Sequence, residues 1–437
     1  MAGEEPGKKG PAEEGAGTGA SKATGSELFA DDRWLVTNIL SSSRWARGTA
    51  EELLCGEAWR TFTRRLERVA ERILDARVPP YAVDRADGYR YVATLLRNAL
   101  DVAIEEHDPD RPRVRWLTRR NKIGYDCADA LYGYAEIRPD ATYRLRGNRG
   151  SVHFFGLQVM SSIRNLHNAH ADEWEVEPDG SFELVASPAR QPGNWIPLGA
   201  GADTIWFRQF FYDWENEVPA RLSIERVDPG PRGNPNGRLD PADFARRLDA
   251  VAANVEANVE LWFRVAVAQR EHLRNRFPEK PFGGAAMGAQ KHQTAGTGYF
   301  ALEDDEALVV EVRPPRAKYW SLHLCNFWLE SLDYAHHQSS LNGHQAVLDP
   351  DGVFRAVVCL EDPGVANWLD PVGHREGTMI YRWNLADDAP VPETRVVPRA
   401  RLREYLPPGT RFVSPEERAR AIEVRRAHVL RRMQVGG

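Results

Sequence analysis

Cysteine is scarce in this 437-residue chain: Cys55, Cys127, Cys325 and Cys359 lie far apart and form no Cys-x-x-Cys pair. That spacing argues against a zinc ribbon and against a thioredoxin-type site. No apolar run approaches the roughly 20 residues needed to cross a bilayer, so no membrane partner is expected. The opening residues MAGEEPGKKG have no apolar stretch after their charges, which leaves no secretory signal to read and makes the cytoplasm the expected location. A dominant charge is missing as well. The 57 Lys and Arg stand against 63 Asp and Glu, a net of -6, and give no electrostatic reason to expect a nucleic-acid partner. The phosphate-loop pattern and the HExxH zinc pattern do not occur. The Gly-rich GGAAMGAQKH that starts at Gly283 follows a Pro-rich stretch, where a phosphate loop would follow a strand. No cofactor is therefore expected.

What is present divides the chain into regions. Residues 1–25 hold scarcely a large apolar side chain and read as a disordered tail, because so little burial cannot offset the entropy of ordering. Residues 26–110 read as helical. Phe62, Leu66, Val69 and Ile73 recur at helical spacing, Pro79-Pro80 ends that helix, and a second helix follows with Tyr89, Ala93, Leu96, Leu100 and Ile104 as its inner stripe. Residues 111–236 form a first beta-rich half of short beta-branched and aromatic segments separated by turn sequences. Within it, residues 165–174, with His167 and His170, read as a surface loop. Residues 237–280 are a helical insertion that Asp240-Pro241 would cap, with a break expected near Asn254. Residues 281–400 make a second beta-rich half, and residues 401–437 an extension ending in a helix capped by Ser414 and Glu417. The fold class predicted is α+β: an antiparallel β-sandwich-like core with an N-terminal helical hairpin, a helical insertion and a C-terminal helix.

Chemistry-bearing residues concentrate between Tyr319 and Trp383, which hold five of the twelve histidines. Histidine changes charge near neutral pH, so such clustering suits proton transfer or metal binding. His336, His337, His344 and His374 are the candidate proton-transfer groups, set against structural histidines as the plainer reading. Asp126 and Asp129, from NKIGYDCADALY, are candidate carboxylate partners, since paired carboxylates can divide acid and base roles. Tyr132, Tyr334, Asn342, Arg375 and Arg382 would donate to a substrate, and Trp328 and Trp368 would wall its pocket. Cys127 lacks the Cys-His signature of a nucleophile. In one expected strand, Trp320, Leu322 and Leu324 alternate with Ser321, His323 and Cys325, the period of a strand with two unlike faces.

Five groups of residues also carry a resemblance. Gly298-Tyr299, Tyr319 to Leu322, Asp351-Gly352, Asn367 to Leu369 and Arg382, together with Asp126, Asp129 and Tyr132 upstream, make the chain resemble the bacterial domain of unknown function 1214 family over residues 121–160 and 296–385. The resemblance implies a β-sandwich-like fold with a helical insertion and implies no activity. Asp370 stands where the family often has proline after Asn-Trp-Leu, and the His-rich loop is particular to this chain.

Taken together, the residues point to a cofactor-free enzyme using acid-base chemistry, of hydrolase or lyase type, on a small and partly apolar organic molecule held between the two beta-rich halves. One alternative is a metal-dependent enzyme with the His-rich loop and Glu361 or Asp362 as ligands. A noncatalytic carbohydrate- or lipid-binding sandwich is the other. A homo-oligomer is compatible with each reading.

Overall fold

The computed structural model describes residues 46–105, 108–119, Lys122, and residues 124–161, 164–228, 239–283 and 292–434. The tail expected over residues 1–25 lies outside them. Among the described residues, eighteen strands fall into four sheets. Sheet I runs β1 (Arg115–Leu117), β2 (Ala130–Glu136), β8 (Thr204–Phe210), β4 (Phe154–Ser161) and β5 (Arg164–His170). Sheet II runs β7 (Trp195–Pro197), β6 (Ser181–Ser187), β3 (Tyr143–Asn148) and β9 (Arg221–Arg226). Sheet III runs β10 (Phe282–Gly283), β11 (Gln293–Ala301), β17 (Glu376–Ala386), β13 (Ala317–Cys325) and β14 (Ser340–Asn342), and sheet IV β16 (Trp368–Leu369), β15 (Phe354–Val358), β12 (Glu306–Val312) and β18 (Glu393–Pro398). The pairings are antiparallel except β6 with β7 and β15 with β16.

Side-chain alternation decides how these sheets stack. Leu131 and Ala135 of β2, Leu157 and Val159 of β4, and Ile205 and Phe207 of β8 share one core with Leu145, Leu184 and Ile224 of sheet II. Leu322 and Leu324 of β13 with Met379 and Trp383 of β17 share another with Leu308, Val310 and Ala356 of sheet IV. Each half is thus a sandwich in its own right, and a fully buried Leu, Ile, Val or Phe in either contributes about 1.5–3 kcal/mol. The observed architecture is the α+β class with a sandwich-like core.

Five α-helices among the described residues complete the fold: α1 (Ala50–Leu54), α2 (Glu57–Glu71), α3 (Ala82–Leu100), α4 (Pro241–His272) and α5 (Pro415–Arg432). Phe62 and Val69 of α2, Tyr91 and Leu95 of α3, and Val251, Val255 and Val259 of α4 form one cluster with Tyr299 and Trp328 of the second sandwich. Three local expectations change. Helix α4 is unbroken at Asn254, because its valine stripe continues at four-residue spacing while Asn258 Nδ2 donates back to the Asn254 carbonyl at 2.8 Å. Helix α3 turns Asp84, Asp87, Gly88, Tyr91 and Leu95 inward and leaves Tyr89 exposed, since Asn326 and His374 of the second sandwich meet Asp87 and Trp328 stacks on Tyr91. Residues 164–170 are an edge strand rather than a loop and pair with β4 across an irregularity at Val159/Met160. Among the described residues no helix is long and apolar enough to cross a membrane.

Candidate functional site

The second face of sheet III is polar although buried. Register places Gln293, Asn384 and Tyr319 in one cross-strand row, Ala295, Arg382 and Ser321 in the next, and Thr297, Ile380 and His323 in the third. This face meets the outer face of sheet I, where Tyr132 lies opposite Arg208 and Tyr134 opposite Trp206. The two sandwiches join through Leu117, Cys127, Tyr132, Phe154, Phe210 and Tyr319, with the Phe210 and Tyr319 rings 4.9 Å apart. Tyr134, Trp206 and Arg208 keep part of their surface accessible. Phe154, Phe210 and Tyr319 are buried where the sandwiches meet, and the partly accessible pair Tyr134 and Trp206 packs beside them with rings 5.2 Å apart.

Arg382 is the dominant charge there. It is 4% exposed, its Nη2 donates to the Tyr125 carbonyl at 2.6 Å, and its Nη1 lies 3.1 and 3.2 Å from the two ring nitrogens of His323. It forms no ion pair with a carboxylate of the described residues. Burial and then the Arg382 guanidinium hold His323 well below the usual imidazole range, so the ring is neutral. Burial likewise pushes up Tyr132, Cys127, Tyr319 and Cys325, which leaves the groups around Arg382 uncharged. Burial also lowers Arg208, and Arg382 reinforces that shift as a like charge. Beside this pair, Asn384 is 1% exposed with both side-chain polar atoms lacking a hydrogen-bond partner, and Gln293 Oε1 lacks one too. Ser321 Oγ lies near the Tyr319 hydroxyl without completing a hydrogen bond.

Several predicted residues meet at this interface. Asp129 accepts from the Tyr319 hydroxyl at 2.8 Å, from Asn342 Nδ2 at 2.7 Å and from Trp214 Nε1 at 3.0 Å. Burial raises its carboxyl against those donors. One buried carboxylate thereby ties both sandwiches together. Asp126 accepts from the Ser331 backbone at 2.7 Å and from its hydroxyl at 2.6 Å, and Tyr132 and Arg382 stand on facing sheets.

Others do not join them. His336 pairs with Asp333 at 2.9 Å, His337 with Asp370 at 2.8 Å, and His344 lies 3.7 Å from Asp213, three separate contacts on partly or fully exposed side chains. The loop that carries them turns outward, so each ring takes its own carboxylate instead of sharing a cavity. Among the described residues no group of three or more His, Cys, Asp or Glu is placed to hold a metal ion, and the His-rich loop does not assemble a ligand set. Trp328 is core packing whose indole donates to the Asp84 carbonyl at 3.0 Å. Trp368 lies on the far side of sheet IV and donates to the Cys359 carbonyl at 2.9 Å. Arg375 pairs with Asp304 at the surface. Tyr334 packs against Trp214 and under the Arg432 guanidinium of α5.

His374 belongs to a second buried network. Its Nε2 is 2.9 Å from Asp87 and its Nδ1 3.0 Å from the Pro371 carbonyl, while Asn326 Nδ2 donates to Asp87 at 2.9 Å. Burial alone would lower this imidazole, but Asp87 and Asp84 outweigh it and raise it. Asp84 is fully buried with both carboxylate oxygens unpartnered. Burial pushes its carboxyl up to about 7, with His374 opposing and Asp87 and Glu376 adding to the shift. This network docks α3 on the second sandwich and has no opening to the interface above.

The fold and site define an α+β protein of two stacked sandwiches with a polar, arginine-bearing interface. An uncharacterized protein from Burkholderia cenocepacia has a solved structure similar to this one, with 35% sequence identity and a TM-score of 0.75 over 80% of this chain and 99% of its own. The chain belongs to the same family as that protein. The VPA0106 protein from Vibrio parahaemolyticus is aligned over 76% of this chain and 100% of its own at 10% identity and a TM-score of 0.42, a likeness too weak to bear on fold or function. No family model matches the chain, and no curated protein matches it.

Proposed function

We propose that the interface between the sandwiches binds a small, partly apolar organic anion and performs cofactor-free acid-base chemistry on it, of hydrolase or lyase type. The observation that carries this reading is Arg382, a buried guanidinium that hydrogen-bonds to a backbone carbonyl and contacts a neutral imidazole but pairs with no carboxylate of the described residues. A buried cation without a counter-charge is costly, and a ligand carboxylate would supply that charge bidentately. The apolar body of the ligand would lie against Tyr132, Tyr134 and Trp206.

His323 is the proton-transfer group in this scheme. Its ring is held neutral partly by Arg382, so an anion that compensates Arg382 raises its basicity. His323 would then accept a proton from a ligand C–H or from water and return it to the leaving group, with the neutral Tyr132 hydroxyl as a hydrogen-bond donor. The resemblance to the domain of unknown function 1214 family is carried into this proposal, since its aromatic-Trp-Ser-Leu strand and its Arg strand are β13 and β17, the sources of Ser321 and Arg382.

The test is calorimetric titration of the full chain, and of Arg382→Gln, with a panel of small carboxylates. Losing a charge-assisted hydrogen bond of about 1.5–3 kcal/mol should weaken binding roughly 10- to 150-fold. Equal affinities for wild type and variant, or no carboxylate bound by either, would overturn the proposal.

A further inference from the structure

We infer that the anion held at Arg382 carries a second polar group, a hydroxyl or carboxamide at its opposite end, which Asn384 and Gln293 recognise. This rests on the reading of the interface given above and names its substrate class. Asn384 follows Arg382 by two residues on β17, so the two side chains leave the same face about 7 Å apart. Gln293 is the direct cross-strand partner of Asn384, within about 5.5 Å.

Both amides are buried, at 1% and 8% exposure, and they do not satisfy each other. Asn384 leaves its nitrogen and its oxygen unpartnered, and Gln293 leaves its oxygen so. Native interiors rarely tolerate such groups unless a ligand or ordered water completes them. The neighbouring Tyr319 hydroxyl cannot donate to the amide oxygens, because its hydrogen goes to Asp129. Ala295, opposite Arg382, has no polar side-chain atom to offer the amides. An amide pair offers donors and acceptors together, which suits a hydroxyl or a carboxamide and gains nothing from a bare hydrocarbon end. The partly accessible Tyr134 and Trp206 suit a flat ring between the two ends.

Three probes separate the elements: benzoate, 4-hydroxybenzoate and 4-carbamoylbenzoate, titrated calorimetrically into the full chain. The expected result is that the two substituted acids bind at least about 10-fold tighter than benzoate, that Asn384→Leu abolishes the preference while keeping benzoate affinity, and that Arg382→Gln weakens all three. Gln293→Leu is the second variant in case Asn384→Leu does not fold, with the same expected loss of preference. If benzoate binds through Arg382 but the substituted acids bind no better, the amide assignment is overturned and the anion site stands. If none of the three binds, both fall. A crystal structure of the 4-hydroxybenzoate complex showing the amides bonded to a retained water, with the hydroxyl elsewhere, also overturns the assignment.

Discussion

Replacing Asp84 by Asn should make the protein more stable in alkali and leave it unchanged in acid. The folded carboxyl, buried and without partners, is pushed up to about 7 from an ordinary 3.8. Between those values the folded chain holds a proton that the unfolded chain releases, so stability is complete below the ordinary carboxylate range and drains away as pH rises to 7 and beyond. About three pH units correspond to about 4 kcal/mol, a large fraction of the usual net stability of a domain. His374 adds a loss of the same sign, since its raised imidazole contributes stability below 6.5 that disappears as pH climbs through its folded value. Asp87 acts in the opposite sense. Its lowered carboxyl contributes above the ordinary carboxylate range and loses that contribution in acid. Asparagine mimics the protonated acid at every pH. Urea unfolding followed by tryptophan fluorescence at pH 4, 6, 7 and 8.5 should show the variant equal to wild type at pH 4 and up to about 4 kcal/mol more stable at pH 8.5. A difference that stays constant with pH, or a variant less stable at pH 8.5, would refute the reasoning.

Four further outcomes follow from the same structure. His323→Gln should lower turnover of any substrate found for the interface by about 10²- to 10⁴-fold with little change in Kd, as measured by steady-state kinetics beside calorimetry. Asp129→Ala takes from three buried donors the carboxylate they share and leaves the Trp214 indole without an acceptor, and chemical denaturation should show a loss of about 1–3 kcal/mol. Gly147→Ala puts a Cβ into the Arg221 carbonyl and the Phe182 ring across sheet II, and denaturation should show a cost of about 1–3 kcal/mol. A chain ending at Ser414 removes Arg425, His428 and Arg432 from around Trp214, and its tryptophan emission should shift to the red.

Much of the fold was written in local periodicity. The alternation of Trp320, Leu322 and Leu324 with Ser321, His323 and Cys325 announced a strand with an apolar and a polar face, and those faces became the second core and the site. Helix α3 misled because Asp84, Asp87 and Tyr91 point inward, where His374 and Asn326 receive Asp87 and Trp328 receives Tyr91, while the apolar spacing pointed to Tyr89. The histidine loop misled for a related reason. Closeness along the chain put His336, His337 and His344 in one segment, yet each found a different aspartate once the loop turned outward. Asp126, Asp129, Tyr132, Asn342 and Arg382 were legible through their motifs and their family likeness. Arg208, Gln293 and Asn384 were not, because their meaning depends on register: only the pairing of β11 with β17, and the stacking of sheet I on sheet III, sets two guanidinium groups beside two unsatisfied amides. His323 was visible as an alternating residue but carried no chemical sign until Arg382 stood next to it.

The seat of Arg432 has a consequence in time. Its guanidinium donates to the Ala128 carbonyl, 304 residues earlier in the chain, next to the Asp129 that joins the sandwiches. At roughly 5–20 residues per second, a ribosome needs about 15–60 seconds between making the two. From the moment each is made until Arg432 follows, Trp214 and Tyr334 wait uncapped. The growing chain therefore holds this aromatic cluster incomplete until the final turn of α5 is made, and that turn is the step that closes it.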